Sequence, residues 1–310
     1  MNSHFSTRAD ARRGLLLIVI AATLWGTIGV STKAVYGLAD TNPLSIGFFR
    51  LAIATPALLL ACWAALGRRM WRLERRDWGL ILMIGAAMAL YQVCYFTAIA
   101  HVGVAIAVLV ALCTAPVMVA LLSSAFLGER LRLPVFLALG CALSGTVLLV
   151  GVDPSDAIPA QTMISGVVLV LGAGLCYATV TLCGRALAGR CHPLQPISIG
   201  FGIGAALLLT FALASGLVVS YPPLGWVLLL HLGLLPTALA YLLFLKGLRQ
   251  TTATVASIVT LLEPLISTLL AWVIFGERLG PLGLMGAVLL LGAIGMLYVG
   301  GIRQVRARTA

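Results

Sequence analysis

The chain has 310 residues, of which 61% are hydrophobic and only 9% charged. Soluble domains carry about 25% charged residues, so this composition excludes a soluble globular protein and indicates an integral membrane protein. The net charge of +11 does not indicate nucleic-acid binding, because the basic residues lie in short segments between long apolar runs, as they do in cytoplasmic loops of membrane proteins.

Ten apolar runs are long enough to cross a bilayer, which takes about 20 helical residues. In chain order they are 14–36, 43–66, 79–100, 103–127, 133–151, 163–187, 194–219, 224–247, 252–275 and 281–301. The runs lack the two-residue alternation of barrel strands, and a helix satisfies its own backbone groups in lipid. We therefore predict an all-α integral membrane protein with ten transmembrane helices.

The first run follows Arg8, Arg12 and Arg13, as the apolar core of a signal peptide would. A signal peptide has an apolar core of only about 7–15 residues before its cleavage site. This run is longer and lacks a convincing cleavage site, so we predict an uncleaved first span.

A duplicated pattern divides the chain into two copies. Leu127-Gly128-Glu129-Arg130-Leu131 ends the fourth run and returns as Phe275-Gly276-Glu277-Arg278-Leu279 at the end of the ninth, 148 positions later (129 to 277). Ala115-Pro116 returns as Glu263-Pro264 at the same interval. Both coincidences follow if one membrane unit was duplicated and fused.

Five spans in each copy would place the second copy upside down in the membrane. We predict inverted repeats at 1–152 and 163–310, joined by an external linker at 153–162. The charges agree with this topology. If the amino terminus is inside, the inner segments hold nearly all Lys and Arg, and the outer segments hold only Arg278. Both termini are therefore expected to be cytoplasmic.

Glu263 is the acidic residue that we place near the middle of a span. A charge there costs about 2.5–3.5 kcal/mol on insertion scales and usually serves a substrate or proton path. Ser257, Thr260 and Ser267 share its side of the helix, whereas the matching face of the first copy is apolar. Glu263 is the strongest candidate for substrate binding or proton coupling; the alternative is a protonated carboxyl bonded to a neighbouring carbonyl.

Aromatic and amide side chains fall at a similar depth in other spans, although Tyr and Trp usually prefer the membrane interfaces. They suggest a protected polar lumen that would suit amphipathic solutes, including aromatic amino acids; ordinary core packing is the alternative. The predicted substrate-binding set is Trp25, Tyr91, Gln92, Tyr95, Tyr177, Tyr241 and Glu263.

Four further residues lie inside predicted spans. Pro116 and Pro264 each remove a backbone donor, which predicts kinked helices that border a cavity or, alternatively, only pack. His231 is a second candidate for proton coupling, although a lone membrane histidine is more often a satisfied core donor. We expect Arg50 to snorkel or to pair with Asp40 or a carbonyl.

Motifs that would indicate an enzyme are missing from the sequence. There is no Walker motif, no GxSxG or HExxH, and no cluster of His, Asp and Glu with metal-ligand spacing. We therefore predict no enzymatic activity, no bound metal and no cofactor.

The ordered motifs resemble a known group of transporters. Leu24-Trp25-Gly26 in span one, Phe49-Arg50 in span two and the sequence around Glu129 resemble the EamA-type branch of the drug/metabolite transporter superfamily over nearly the whole chain. The resemblance implies an inverted-repeat fold with a central cavity lined by spans 1, 3, 4, 6, 8 and 9. It also implies transport of small metabolites, commonly amino-acid export across a bacterial inner membrane, including export of aromatic amino acids.

The favoured function is therefore alternating-access export of amino acids, with a small solute and the lipid bilayer as partners. Nucleotide-sugar or drug carriers of the same superfamily are the main alternative, although anionic cargo would need more buried basic residues. A membrane enzyme and a passive channel are weaker alternatives. The sequence leaves open the solute, the coupling ion, and whether the protein is a monomer or an oligomer.

Overall fold

The computed structural model describes residues 8–129, 133–150, 159–275 and 280–309, which form a bundle of helices. The α-helices are α1 (Arg8–Leu38), α2 (Pro43–Leu66), α3 (Arg75–Leu127), α4 (Leu133–Val150), α5 (Ala160–Leu187), α6 (Leu194–Ala214), α7 (Pro223–Gly233), α8 (Ala240–Leu248), α9 (Ala253–Val259), α10 (Leu262–Phe275) and α11 (Pro281–Thr309). A 3₁₀ turn spans Gly67–Trp71, and a π-helix at Leu234–Leu239 joins α7 to α8.

Within the described residues, eight helical segments are long and apolar enough to cross a membrane. They are Asp10–Leu38, Pro43–Trp71, Arg75–Val102, Ile106–Leu127, Gln161–Leu187, Leu194–Ala214, Pro223–Leu248 and Ala253–Ile274. The predicted spans 133–151 and 281–301 correspond to shorter apolar helices, Leu133–Leu149 and Pro281–Leu297. An all-helical, multi-span protein is thus confirmed, and the count of ten spans stays a prediction.

The seventh predicted span ends earlier than expected, at Ala214 instead of 219. Ser215 closes the helix, and Gly216 follows with φ 78°. That left-handed conformation suits glycine because it has no Cβ. Most of the predicted linker 153–162 lies outside the described residues.

The long helix α3 folds back on itself and supplies two spans. A Cβ added at Gly172 of α5 would lie 3.6 Å from the Cys94 sulfur, and one at Gly174 would lie 3.1 Å from the Thr114 hydroxyl. In a straight helix Cys94 and Thr114 would be about 30 Å apart. Because both reach neighbouring positions of α5, the two arms of α3 lie side by side, as predicted for spans three and four.

Helices α2 and α6, the second span of each predicted repeat, run antiparallel. Near the start of α6, Gln195 donates to the Met70 carbonyl just past α2, at 2.9 Å. At the opposite end, Asn42, which caps α2, donates to the Gly216 carbonyl just past α6, at 2.8 Å. The start of each helix therefore lies beside the end of the other.

The basic loops that we assigned to one side of the membrane meet at one end of the bundle. Arg190 pairs there with Asp77 at the start of α3, and Arg249 donates to the Cys191 carbonyl. Burial and the nearby charges of Arg249 and Lys246 lower the pKa of His192. This common location agrees with a shared membrane side and leaves open which side it is.

Small residues allow helix backbones to approach closely at several crossings. A Cβ at Gly145 of α4 would come within 2.8 Å of the Gly286 carbonyl of α11, so these two helices pack closely within one chain. A Cβ at Gly26 of α1 would lie 2.5 Å from the Ile266 Cβ of α10. The second crossing fixes α1 directly beside the helix turn that carries Glu263.

Candidate functional site

The ninth predicted span is broken in its middle, and Glu263 lies at the break. α9 ends at Val259 and α10 begins at Leu262, so Glu263 falls in the first turn of α10. Pro264 has no backbone N–H to donate to the Thr260 carbonyl, which instead accepts from Glu263 N at 3.0 Å. A carboxylate in a first helical turn is favoured by the helix dipole, so the break also offsets part of the cost of this buried charge.

The Glu263 carboxylate faces polar groups that come from several helices. It is half-buried, and within the described residues it has no hydrogen-bond or ion-pair partner. The titratable groups within electrostatic range of it are Arg50, Tyr91, Tyr95, Tyr177 and Tyr241. The four tyrosines predicted from the sequence thus lie in the same region of the bundle as the predicted acid.

Ring contacts and hydrogen bonds order these aromatic side chains. Tyr91 and Tyr95, one turn apart on α3, stack with centroids 5.6 Å apart. The Tyr177 hydroxyl lies 3.1 Å from the Thr260 hydroxyl, beside the helix break. Trp25 of α1 meets Tyr241 of α8 edge-on, with centroids 5.0 Å apart. We call the set Trp25, Arg50, Tyr91, Tyr95, Tyr177, Tyr241 and Glu263 the central cluster.

Both predicted repeats contribute to the central cluster. Trp25, Arg50 and the Tyr91–Tyr95 pair come from α1, α2 and α3 of the first repeat, and the other members come from α5, α8 and α10 of the second. Each side chain is carried by a regular helix, which holds it more firmly than a loop would. The cluster therefore lies where the two halves meet.

Arg50 is the member of the central cluster that the predicted binding set did not include. Its Nε donates to the Thr237 hydroxyl at 3.3 Å, and Thr237 in turn donates to the Leu232 carbonyl at 2.7 Å. The expected pairing with Asp40 is therefore wrong. The sequence did indicate Arg50 as a site candidate, because an arginine inside a span is by default a candidate functional group. The sequence does not show in which direction the arginine side chain points.

Trp25 carries a buried donor without an acceptor. The residue is 4% exposed, and among the described residues its indole Nε1 has no hydrogen-bond partner. An unsatisfied buried donor costs about 1–3 kcal/mol, so such groups are uncommon in native proteins unless they serve a purpose.

Other predicted site residues lie elsewhere. Gln92 is 3% exposed and lies against α2 at Gly47. His231 Nε2 is 3.1 Å from the Thr27 hydroxyl, and in the described part of the chain it is not among the groups that act on Glu263. Pro116 is buried in a stretch of α3 that remains helical. The substrate and coupling roles of these residues stay predictions.

Glu129 joins the two halves at the basic end of the bundle. Its carboxylate accepts from the Ala253 and Thr254 backbone N–H groups, at 2.8 and 3.2 Å, and from the Thr254 hydroxyl at 3.0 Å. Arg185 Nε lies 3.8 Å away. The first copy of the duplicated motif therefore caps α9 of the other copy. In the second copy of the motif, residues 276–279 lie outside the described residues.

Two further features bear on chemistry. Within the residues that the structure describes, no group of three or more His, Cys, Asp or Glu is arranged to hold a metal ion. A shallow surface depression lies away from the central cluster, beside Leu187, Leu245 and Arg249. In the central cluster itself Trp25 is buried, whereas Arg50, Glu263 and the four tyrosines are partly exposed.

Comparison with known proteins gives consistent matches. The EamA-like transporter family model matches residues 12–151 and 164–299. The "Uncharacterized transporter YwfM" of Bacillus subtilis is 33% identical over 284 residues, which is 92% of each chain. The "Pseudopaline exporter CntI" of Pseudomonas aeruginosa is 28% identical over 283 residues, or 91% of this chain and 94% of the relative.

A solved crystal structure also resembles this chain. The TM-score is 0.82 at 21% identity, and the match covers 94% of this chain and 98% of the other. At this level of identity the likeness shows a shared fold and carries no conclusion about cargo.

Proposed function

Because the chain belongs to the EamA-like transporter family, we propose that it is a secondary transporter that exports small metabolites across the bacterial inner membrane, with amino acids as the favoured cargo. The protein spans the membrane several times and acts on a small solute, as its family does. Export, the amino-acid class and alternating access are the proposal.

One observation carries this proposal. Polar and aromatic side chains from both halves meet around the Glu263 carboxylate, at a break in a membrane helix. Broken helices at the interface of two repeats are where secondary transporters place their binding sites. Tyrosine and tryptophan rings supply apolar faces with polar edges, which fit amphipathic solutes such as amino acids.

We further propose two inverted five-span repeats, 1–152 and 163–310, with both termini cytoplasmic. The antiparallel arrangement of α2 and α6 supports the inversion, and so does the contact of Glu129, at the end of span four, with the start of span nine. An inverted pair can open alternately to either side by rocking about a shared site. The printed name of the Pseudomonas relative, an exporter, supports the direction.

Reconstitution into liposomes tests this function. A panel of labelled amino acids is loaded and its flux measured with and without a pH gradient, beside labelled nucleotide sugars. We expect saturable flux of neutral amino acids without single-channel currents. Flux of nucleotide sugars alone would favour the other carrier class, and ion currents would indicate a channel.

Cysteine labelling tests the topology. In a variant without the native cysteines, Asp156→Cys in the predicted external linker should react with a membrane-impermeant reagent added outside. Arg72→Cys, in the exposed loop after α2, should react only after the membrane is opened. The reverse pattern would overturn the proposed orientation.

A further inference from the structure

Arg50 is a partly buried cation with capacity for another partner. Arg50 lies two turns inside α2, and an arginine within a membrane span is seldom tolerated without a function, since it costs up to about 2.5–3.5 kcal/mol at the helix centre on insertion scales. A guanidinium has five N–H donors. The hydrogen bond recorded for this side chain in the described part of the chain uses only Nε, which Thr237 anchors at 3.3 Å. The anchor fixes the planar head and leaves its terminal nitrogens for an acceptor.

Arg50 and Glu263 lie near each other without forming an ion pair. Each is within electrostatic range of the other, yet within the described residues no nitrogen of Arg50 lies within 4.0 Å of a Glu263 oxygen. Opposite charges in a low-dielectric interior attract strongly. Here they are carried by different helices, α2 and α10, and are held apart by the fold.

A further unpartnered donor lies in the central cluster, near both charges. The unpartnered Trp25 indole N–H belongs to the ring that contacts Tyr241, and Tyr241 is within electrostatic range of Arg50. Arginine binds planar carboxylates through two parallel hydrogen bonds, and an indole N–H adds a third donor. Glu263 supplies only acceptors when ionised. Of the two charged groups, Arg50 thus supplies only donors, and an ionised Glu263 supplies only acceptors.

We propose that Arg50 and Glu263 are the two poles of a zwitterion site, in which the Arg50 guanidinium binds the carboxylate of the cargo and the Glu263 carboxylate binds its ammonium group. Trp25 completes the carboxylate pole. The cargo class is therefore zwitterionic solutes of the α-amino-acid type, and this inference rests on the proposed transport function.

Charge matching explains how such a site selects its cargo. A zwitterion satisfies both poles at once, whereas a purely anionic solute leaves Glu263 unpaired and a purely cationic one leaves Arg50 unpaired. Leaving one charge of a buried pair without a partner is costly. Anionic nucleotide sugars would in addition be repelled by Glu263.

Matched analogues test the assignment of each pole. Phenylalanine, phenylalaninamide (no carboxylate) and 3-phenylpropionate (no ammonium) are compared as competitors of labelled phenylalanine binding to the purified protein and as thermal stabilisers of it. Wild type should bind phenylalanine at least about tenfold more tightly than either analogue, which is about 1.4 kcal/mol.

The variants should then lose this preference reciprocally. Arg50→Gln should stop discriminating phenylalanine from phenylalaninamide, because the carboxylate has lost its partner. Glu263→Gln should stop discriminating phenylalanine from 3-phenylpropionate. Glu74→Gln and Arg76→Gln, which alter an exposed ion pair, serve as controls and should keep the wild-type ranking.

Two results would overturn the inference: equal competition by all three compounds in wild type, or equal weakening of all three in both pole variants. If Arg50→Gln does not fold, Arg50→Lys keeps the charge and should keep the ranking, and the wild-type ranking alone still decides. Liposome flux separates this inference from the proposed function. Export of only anions or only cations would support a transport function and refute the zwitterion site. Selective binding of zwitterions without flux would support the zwitterion site and refute the transport function.

Discussion

The second arm of α3 and the α9–α10 pair are equivalent helices of the two repeats, and they differ in the residue before their shared proline and in whether the helix continues there. Both carry a proline, Pro116 and Pro264, at the same place in the repeat. Around Pro116 the helix continues, and its matching face is apolar. Around Pro264 the helix breaks, and the preceding residue is Glu263 in place of Ala115. The two helices are thus similar frameworks, and only the second carries a charge next to its proline.

The comparison also shows why the proline alone does not break a helix. A proline removes one backbone hydrogen bond, and a helix can bridge that gap when its neighbours pack tightly. In α10 a carboxylate in the new first turn gains from the helix dipole, so the charge and the break support each other.

Loss of the Glu263 charge is the change for which we expect the largest effect, and a carboxylate at the matching position of the other helix should not compensate for it. Glu263→Ala should reduce amino-acid flux by about tenfold or more, the effect of losing about 1.4 kcal/mol. Adding Ala115→Glu should leave flux low, because Arg50 and the tyrosines face α10. Initial rates in liposomes measure this, and recovery of more than half of the wild-type rate would show that the two helices are interchangeable.

Replacement of each proline by alanine should affect transport differently in the two helices. Pro264→Ala restores a donor for the Thr260 carbonyl and lets the helix continue, which would turn Glu263 away from the cluster. We expect flux to fall about tenfold, again near 1.4 kcal/mol. Pro116→Ala is the matched control and should change flux by less than about twofold, because the helix there is already continuous. Equal losses in both variants would contradict the assigned difference.

The close crossing of α1 over α10 should be sensitive to one methyl group. Gly26→Ala places a Cβ 2.5 Å from the Ile266 Cβ, and overpacking of this kind costs about 1–3 kcal/mol. Gly37→Ala on the same helix meets nothing within 4 Å and should be neutral. Thermal unfolding in detergent compares the two. A Gly26→Ala variant as stable as Gly37→Ala would mean that this crossing is looser than described.

Removing the cap that joins the two repeats should have a smaller effect. Glu129→Ala deprives the start of α9 of an acceptor for two backbone N–H groups, and losing a helix cap costs about 0.5–2 kcal/mol. Glu74→Ala, an exposed carboxylate with a partner at 2.9 Å, is the control. Thermal unfolding should rank Glu129→Ala clearly below it. An identical stability would show that Glu129 contributes little to holding the halves together.

Much of this arrangement was predictable from the sequence, and the part that was not has a clear physical cause. The lengths of the apolar runs predicted the helices. The repeated proline position, with Glu263 before it in the second copy, and the aromatic residues at mid-span depth predicted the residues of the site. For Arg50 the sequence left snorkelling, Asp40 or a carbonyl as alternatives, because sequence gives the depth of a residue along a helix but not the direction its side chain takes among other helices. Its true partner, Thr237, lies 187 positions away in a π-helix that the sequence pattern did not suggest.

The most direct test of the central claim, that Glu263 is a pole of the transport site, is the flux of Glu263→Gln in two modes. Glutamine keeps the size and hydrogen bonding of the side chain and removes its charge. Because the carboxylate binds the cargo, we expect gradient-driven accumulation and downhill exchange to fall together, by about tenfold or more. Loss of accumulation with normal exchange would show that Glu263 couples protons instead. Wild-type rates in both modes, with normal folding, would contradict the account.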